Sequence, residues 1–358
     1  MVARKRILFI LPYPKGVAPS QRFRLEHYLD AMKSNRMEYT YASFLDKSTW
    51  DILYRPGYHF KKIGGVLKGF FRRFLLLFTL FRYHFVFIHR EASPIGPPIF
   101  EWLITQVWRK KVIYDFDDAI WMSDTSTSNK FVACLKWPRK VSRICRWAQT
   151  VTCGNAYLAN YASQFQKNTI IIPTVVNTKT KHKRLQNQAV KKIGVGWTGS
   201  HSTMPYLNSI LPSLKKLQAK IPFVVYIISN RKPEFELPYL HFIEWSKNTE
   251  IEDLLSFHIG LMPLEDTEWA KGKCGFKAIQ YMALGMPALV SPVGVNPEIV
   301  EEGICGFHCT NAEDWEHKLE KLLNDESLRI QLGKTARQRI EAKYSVQATV
   351  QLFLSLFE

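Results

Sequence analysis

Acidic residues are missing from two long stretches of this 358-residue sequence. Residues 125–233 contain no aspartate or glutamate, and residues 52–90 contain none but carry eight lysines and arginines. The formal net charge of +18 favours a phosphate-bearing ligand, a nucleic acid or a membrane surface over small neutral partners. A basic surface that is merely solvated is the alternative explanation.

Paired cysteines and long apolar runs are also lacking. The six cysteines are scattered, and none has the C-x-x-C spacing of a zinc or redox site, so we expect buried, reduced thiols, no bound metal and a cytoplasmic protein. The apolar run at 74–81 is too short to cross a bilayer, and the stretch 278–297 is interrupted by glycines and prolines. The N-terminus has too short an apolar run for a signal peptide.

Short apolar runs alternate with helical patterns along the chain, which is typical of parallel α/β sheets. Strands are predicted at 7–11, 85–89, 111–116, 151–153 and 170–172, and then at 193–197, 223–228, 259–261 and 288–291. The polar, basic segment between the two groups reads as a linker. We therefore predict an α/β chain with a domain at 1–177, a linker at 178–192, a second domain at 193–340 and a C-terminal helix at 341–358.

Ligands bind beyond the carboxyl ends of parallel strands, so the residues that follow each predicted strand are candidate site residues. After the first strand, a Gly/Pro-rich loop leads to Ser20, a plausible N-cap, and to Arg22 and Arg24. This arrangement suits an anion, although solvated arginines would give the same pattern.

Three carboxylates, Asp115, Asp117 and Asp118, end the strand at 111–116. Such closely spaced acids repel one another unless they meet cations, sugar hydroxyls or a magnesium ion. Arg90, which follows the strand at 85–89, is a candidate partner. Alternatively, Asp117 caps the following helix.

In the second half, residues 194–199 fit the pattern G-x-G-x-x-G, but no acid follows within about twenty residues to hold a ribose, so we reject a nicotinamide site. The turn from Gly199 can still present amides to a phosphate. Lys271, Lys273 and Lys277 lie on a loop that leads into a predicted helix, and such a cluster suits a departing diphosphate. A solvated basic loop is the alternative.

The strip 57–87 mixes aromatic and basic residues. It suits an anionic membrane surface or an acceptor that carries a lipid. An ordinary core helix with a basic outer face is the other interpretation.

Residues 272–298 carry two motifs, Met282-Ala-Leu-Gly-Met-Pro287 and Gly294-Val-Asn-Pro-Glu298. Together they resemble the donor-site region of retaining nucleotide-sugar glycosyltransferases of the group 1 type. That resemblance implies the GT-B fold, in which two Rossmann-like domains face each other across a cleft and a C-terminal helix crosses back to the first domain. The sequence departs from the family pattern where two glutamates are usual, at Gly272 and Gln280. A serine, Ser200, also replaces the arginine that usually follows the glycine at 199.

The resemblance implies transfer of a sugar from a nucleotide-sugar donor to a saccharide or lipid-linked acceptor, in surface polysaccharide or glycan biosynthesis, with retention and without a metal or other cofactor. It assigns catalysis to Lys273, Lys277 and Asp118, donor binding to Gly199, Ser200, Arg231, Gln280 and Glu298, and acceptor-side contacts to Arg22, Arg90 and Asp117. A sugar-nucleotide epimerase and a catalytically inactive GT-B binding protein are the alternatives. No nucleic-acid motif is present, so we expect no nucleic-acid partner. A cytoplasmic location is expected, including the inner face of the membrane.

Overall fold

The computed structural model describes residues 5–53, 55–122 and 137–358 and divides the chain into two compact units. One unit comprises Met1–Pro173 together with Val350–Glu358, and the other comprises Thr174–Thr349. The five cysteines within the described residues are buried thiols, and Cys134 lies outside them.

The first unit contains a six-stranded parallel sheet. Its strands are β1 (Arg6–Leu11), β2 (Glu38–Ser43), β3 (Phe85–His89), β4 (Lys111–Phe116), β5 (Thr150–Cys153) and β6 (Thr169–Ile171). The sheet order is β2-β1-β3-β4-β5-β6. The α-helices described here are α1 (Pro19–Arg24), α2 (Leu29–Ser34), α3 (Lys47–Leu53), α4 (His59–Leu77), α5 (Ile99–Trp102), α6 (Lys140–Trp147) and α7 (Ala156–Ser163).

The second unit repeats this plan. Its parallel strands are β7 (Ile193–Thr198), β8 (Phe223–Ser229), β9 (Leu240–Glu244), β10 (Ile259–Met262), β11 (Ala288–Val290) and β12 (Gly306–His308), in the order β12-β11-β10-β7-β8-β9. Its α-helices are α8 (Leu211–Gln218), α9 (Glu250–Leu254), α10 (Glu268–Lys271), α11 (Phe276–Ala283), α12 (Asn296–Ile299), α13 (Ala312–Asn324) and α14 (Glu326–Lys343). The predicted α/β architecture of two Rossmann-like domains is confirmed.

The last helix, α15 (Val346–Ser355), begins in the second unit and ends in the first. Phe353 stacks on Tyr28 with their ring centroids 4.1 Å apart, and Phe357 meets the ring of Phe9 edge-on at 6.3 Å. All four rings are essentially inaccessible to solvent. Residues 350–358 therefore supply part of the apolar core that covers the first sheet.

Residues 178–192, predicted as a linker, lie within the second unit. Gln186 donates to the carbonyl of Leu255 at 2.6 Å, and Gln188 donates to the carbonyl of His258 at 3.0 Å. The segment lacks apolar periodicity because its long polar side chains attach it to the unit by hydrogen bonds rather than by an apolar face.

His258, beside this segment, makes the stability of the protein depend on pH. Its Nδ1 accepts a hydrogen bond from the backbone N–H of Gly194 at 2.8 Å. The pKa of His258 is lowered to about 4, mainly by burial and secondly by the positive charge of Arg329. The folded protein therefore holds this imidazole neutral at pH values where the unfolded chain, with a pKa of about 6.5, takes up a proton.

We expect the free energy of unfolding to fall as the pH drops from about 6.5 towards 4. Between pH 7 and pH 5 the contribution of this site is about 1 kcal/mol, because solvent screens a partly buried group. Urea titrations at the two pH values measure it. His258→Asn should flatten the dependence, whereas His317→Asn at an exposed position should keep the wild-type slope. An unchanged slope in His258→Asn would contradict the assignment.

Candidate functional site

The second sheet has its topological switch point between β7 and β10, where the chain leaves to opposite sides. The two strands pair through Val195 with Ile259 and Gly196 with Gly260. Past those pairs, the hydroxyl of Tyr281 accepts from the N–H of Thr198 at 3.0 Å and donates to the carbonyl of Leu261 at 3.3 Å. The phenol therefore bridges the two strands where their direct pairing ends, which is where α/β sheets bind ligands.

The glycines of β7 and β10 make room for aromatic rings. A Cβ on Gly196 would lie 2.0 Å from the ring of Phe257, and a Cβ on Gly260 would lie 2.1 Å from the ring of Tyr281. Because Gly196 belongs to the strand itself, the G-x-G spacing serves close packing here rather than a dinucleotide loop.

Lys277 and Gly199 come together at the carboxyl end of β7. A Cβ on Gly199 would lie 2.9 Å from Cε of Lys277, whose ammonium group lies 5.6 Å from the ring centroid of Trp197. A glycine at 199 thus lets the lysine stem cross the turn. Lys277 is only partly exposed. Its stem is partly covered, and its ammonium group lies at the switch point.

The turn after Gly199 offers fewer amides than the sequence suggests. The N–H of Gly199 donates to the carbonyl of Ile228 at 3.0 Å, and the N–H of His201 donates to Oδ1 of Asn230 at 2.9 Å. The hydroxyl of Ser200 lies 2.8 Å from that of Ser202. A phosphate at this turn would therefore depend on side chains such as Lys277 more than on the amides of Gly199 and His201.

The loop at 271–275, which precedes the first motif, packs against the segment 294–299, which holds the second. Gly294 has φ +58° and leaves only 2.8 Å between an added Cβ and the carbonyl oxygen of Lys271. Gly275 has φ +64°, and a Cβ there would lie 2.0 Å from Ile299. Only glycine fits both the left-handed backbone and this approach, so the loops after β10 and β11 form one surface.

The three lysines of the loop at 271–277 have different surroundings. Lys271 pairs with Glu268 at 2.7 Å and with Asp266 at 3.7 Å, so nearby acids balance its charge. Lys273 lies over the ring of Trp269 at 5.7 Å. The predicted cluster of three cations is therefore divided, with Lys277 the member that lies against Gly199.

The other predicted donor residues, Gln280, Arg231 and Glu298, differ in how far they are exposed. Gln280, on α11 with Lys277, is 2% exposed, and its Nε2 has no hydrogen-bond partner among the residues that the structure describes. Arg231 is exposed just past the end of β8. Glu298 has an exposed side chain, while its carbonyl oxygen accepts from the hydroxyl of Tyr344 at 3.3 Å.

In the first unit, Arg90 joins two of the predicted acids. Its Nε donates to Asp117 at 2.9 Å, and its terminal nitrogen donates to Asp118 at 2.6 Å. Arg90 adopts φ +61°, and its backbone N–H donates to the carbonyl of Asp115 at 2.7 Å. Burial alone would lower the pKa of Arg90, but the two carboxylates raise it instead. A non-glycine residue in this conformation is strained, and such strain concentrates at functional sites.

A second set of contacts extends this cluster through His89, which no sequence pattern singles out. Nδ1 of His89 lies 2.7 Å from Asp115, and its Nε2 lies 2.6 Å from the hydroxyl of Ser20, which donates to Asp117 at 3.1 Å. The prediction that Ser20 caps α1 is wrong, because Ala18 occupies the N-cap position. The alternative that Asp117 serves as a helix cap also gives way to its pairing with Arg90.

Asp115 is the buried anchor of this network. It forms an ion pair with Arg24 and accepts from the hydroxyl of Thr152 at 2.7 Å. Burial alone would raise the pKa of Asp115, but Arg24 and His89 hold it well below its usual range. Arg22, predicted beside these residues, is also buried, and its guanidinium lies 4.9 Å from the ring centroid of Phe23.

Within residues 5–53, 55–122 and 137–358, no group of three or more histidine, cysteine, aspartate or glutamate side chains is arranged to hold a metal ion. No helix in the described residues is both long enough and apolar enough to cross a membrane.

The fold of both units is shared by solved structures of other proteins. Sucrose-phosphate synthase from Thermosynechococcus elongatus superposes over 99% of each chain with a TM-score of 0.70 and 14% identity. HepE from Anabaena, solved in complex with UDP and glucose, superposes over 98% of this chain and 99% of that one with a TM-score of 0.67 and 13% identity. The fold is that of the GT-B class of glycosyltransferases.

Sequence comparison finds a match in the second unit. Residues 240–339 match the model of the family described as glycosyl transferases group 1. Spore coat protein SA of Bacillus subtilis (strain 168) is 32% identical over 80 residues, which is 22% of this chain and 21% of that protein. Residues 240–339 are therefore similar to group 1 glycosyltransferases, and the resemblance of residues 272–298 to that group is confirmed.

Proposed function

We propose that this protein transfers a sugar from a nucleoside diphosphate sugar to a saccharide or lipid-linked acceptor, in the synthesis of a surface polysaccharide or another glycan. The observation that carries the proposal is the position of Lys277 against Gly199, at the switch point of the second sheet. A fixed cation there lies where α/β folds bind nucleotides, and it would stabilise the charge that grows on a departing diphosphate.

The second unit would hold the donor. Gln280 supports this role because its buried Nε2 lacks a partner, and a buried donor left unsatisfied costs roughly 1–3 kcal/mol. A ribose hydroxyl would accept from it. Arg231, Lys273 and Glu298 would complete the donor contacts, in keeping with the family resemblance. UDP is the first nucleotide to test, since the structural relative HepE was solved with UDP and glucose.

The first unit would hold the acceptor. Asp117 and Asp118 can accept hydrogen bonds from sugar hydroxyls on the oxygens that Arg90 leaves available. The fixed cations Lys277 and Lys273 would replace a metal ion as counter-charge to the diphosphate, so transfer would proceed without one. Retention at the anomeric carbon follows from the family resemblance, and NMR of the product anomer tests it.

Nucleotide binding gives the direct test. UDP is expected to raise the melting temperature, because a ligand that binds only the folded state stabilises it. Gln280→Leu, which removes the amide, should weaken UDP binding about tenfold, the value of roughly one hydrogen bond. Gln280→Glu restores the usual family residue, and we expect it to keep binding within about threefold of wild type.

Calorimetric titration of UDP into the three proteins measures these affinities. GDP, ADP and dTDP in parallel identify the base. Equal affinity of the Leu and Gln proteins would contradict the role of Gln280. Turnover of a labelled sugar nucleotide then separates the reactions, since transfer requires an added acceptor and epimerisation does not.

A further inference from the structure

Helix α4 carries its apolar face on the outside of the first unit. The large apolar side chains at 60, 63, 67, 71, 74 and 78 recur at intervals of three and four, which places them on one helix face. Each is at least half exposed, and Phe60 is 91% exposed. Leu75 and Phe81 extend the exposed apolar surface. We call residues 58–82 with this face the α4 surface.

The opposite face of the helix is the buried one, and its buried residues are Gly65, Gly69, Arg73 and only one large apolar residue, Leu77. A Cβ on Gly65 would lie 2.3 Å from the hydroxyl of Thr49, and a Cβ on Gly69 would lie 2.6 Å from the ring of Phe44. A surface helix of a globular protein normally has the reverse pattern, with apolar residues towards the core. The alternative of an ordinary core helix with a basic outer face does not hold.

Arg73 fastens the helix to the sheet. Its guanidinium, 2% exposed at the residue level, donates to the carbonyls of Leu11 at 2.7 Å, Ala42 at 3.0 Å and Ala92 at 2.7 Å. Leu11 and Ala42 lie at the carboxyl ends of β1 and β2. The outward direction of the apolar face is therefore fixed by a buried hydrogen-bonded charge.

Cations border the apolar face. Lys61 and Arg82 are exposed, and each lies over an aromatic ring of the same surface, Tyr58 and Phe81. Lys62 donates to the carbonyl of Arg55 at 2.6 Å. Lys68 and Arg72 both face Asp46, at 3.0 and 3.8 Å. Since residues 52–90 contain no acid, the α4 surface has a positive balance even with Asp46 included.

We propose that the α4 surface docks on an anionic lipid bilayer, with the helix lying in the interface and its apolar face among the acyl chains. Aromatic and aliphatic residues on one face with lysine and arginine at its border are typical of interfacial helices. The 19-residue helix is about 28 Å long, enough to seat six large side chains at one depth. The charge border matches anionic headgroups, which attract each nearby cation.

This docking goes beyond sugar transfer and stands without it. Combined with the proposed function, the docking explains how the protein reaches a lipid-linked acceptor. Arg73 ties the helix to the edge of the sheet at which β1 ends, and Arg90 follows β3 at that same edge. The encounter with a lipid-linked acceptor rests on the proposed function, whereas the docking itself does not.

Co-sedimentation with vesicles tests the docking, with no sugar nucleotide present. The full chain should bind vesicles of phosphatidylglycerol and phosphatidylcholine in equal parts, and bind pure phosphatidylcholine at least tenfold more weakly. Phe60→Ser with Phe71→Ser, and separately Lys61→Glu with Lys62→Glu, should each weaken binding to the mixed vesicles at least tenfold. The matched controls Ile330→Ser and Lys167→Glu, at exposed positions elsewhere, should bind as wild type.

Two results would overturn the proposal. One is wild-type vesicle binding by both double variants, with circular dichroism showing that they are folded. The other is a wild-type dimer in sedimentation velocity that Phe60→Ser with Phe71→Ser dissociates, because a second copy would then be the occupant of the α4 surface. Loss of vesicle binding with intact transfer to a soluble acceptor would support docking separately from catalysis.

Discussion

Asp115→Asn is expected to lower the free energy of unfolding of the first unit by about 3–5 kcal/mol. The carboxylate of Asp115 faces the guanidinium of Arg24, and both side chains are at most 2% exposed. Removing the negative charge takes the carboxylate away from a buried arginine and weakens the contact with His89, and breaking a buried ion pair on one side has this large a cost. Urea denaturation measures the loss.

Asp30→Asn is the matched control, since Asp30 is an exposed aspartate on α2 of the same unit. We expect it to change stability by less than about 0.5 kcal/mol. A cost below about 1 kcal/mol for Asp115→Asn would mean that the ion pair is open to solvent, contrary to the structure.

Lys277→Ala is expected to reduce kcat for sugar transfer by about 10²–10³-fold. Its ammonium group would stabilise charge that appears only as the diphosphate departs, and removing one such contact in an active site costs roughly 2.7–4 kcal/mol of barrier. Because the interaction strengthens in the transition state, kcat should fall more than KM rises. Lys273→Ala should act in the same direction.

Lys271→Ala provides the control within the same loop. Lys271 is balanced by Glu268 and Asp266, so its loss should change kcat less than about twofold. Equal effects of Lys271→Ala and Lys277→Ala would show that the loop acts through its total charge, and would contradict a specific role for Lys277.

The sequence predicts the inner strands and the edge strand β6, but it misses the edge strands β2, β9 and β12. Strands β1, β3 and β4 are buried on both faces, so they appear as continuous apolar runs. Strand β2 alternates half-exposed residues, and β12 has only three residues, Gly306–His308. Neither has an apolar run, because an edge strand needs only one partner and little burial.

The sequence predicts which loops carry the candidate site residues but not which of their side chains contact each other. The strand ends indicate Arg90 and Asp117, because ligand-binding residues follow parallel strands, and the lysine cluster before a predicted helix indicates Lys277. The contact of Ser20 with His89 joins positions 69 apart in sequence, and local patterns carry no information on such a pair. Tyr281 reads as an ordinary core aromatic, and only the strand order shows that its hydroxyl bridges β7 and β10.

The placement of residues 350–358 in the first unit has a consequence for biosynthesis. Domains generally fold in the order in which they are made. Here Phe353 and Phe357, which cover Tyr28 and Phe9, are translated only after the whole of Thr174–Thr349. The N-terminal half therefore keeps part of its apolar core exposed until residues 350–358 have been synthesised, which makes it prone to aggregation during synthesis.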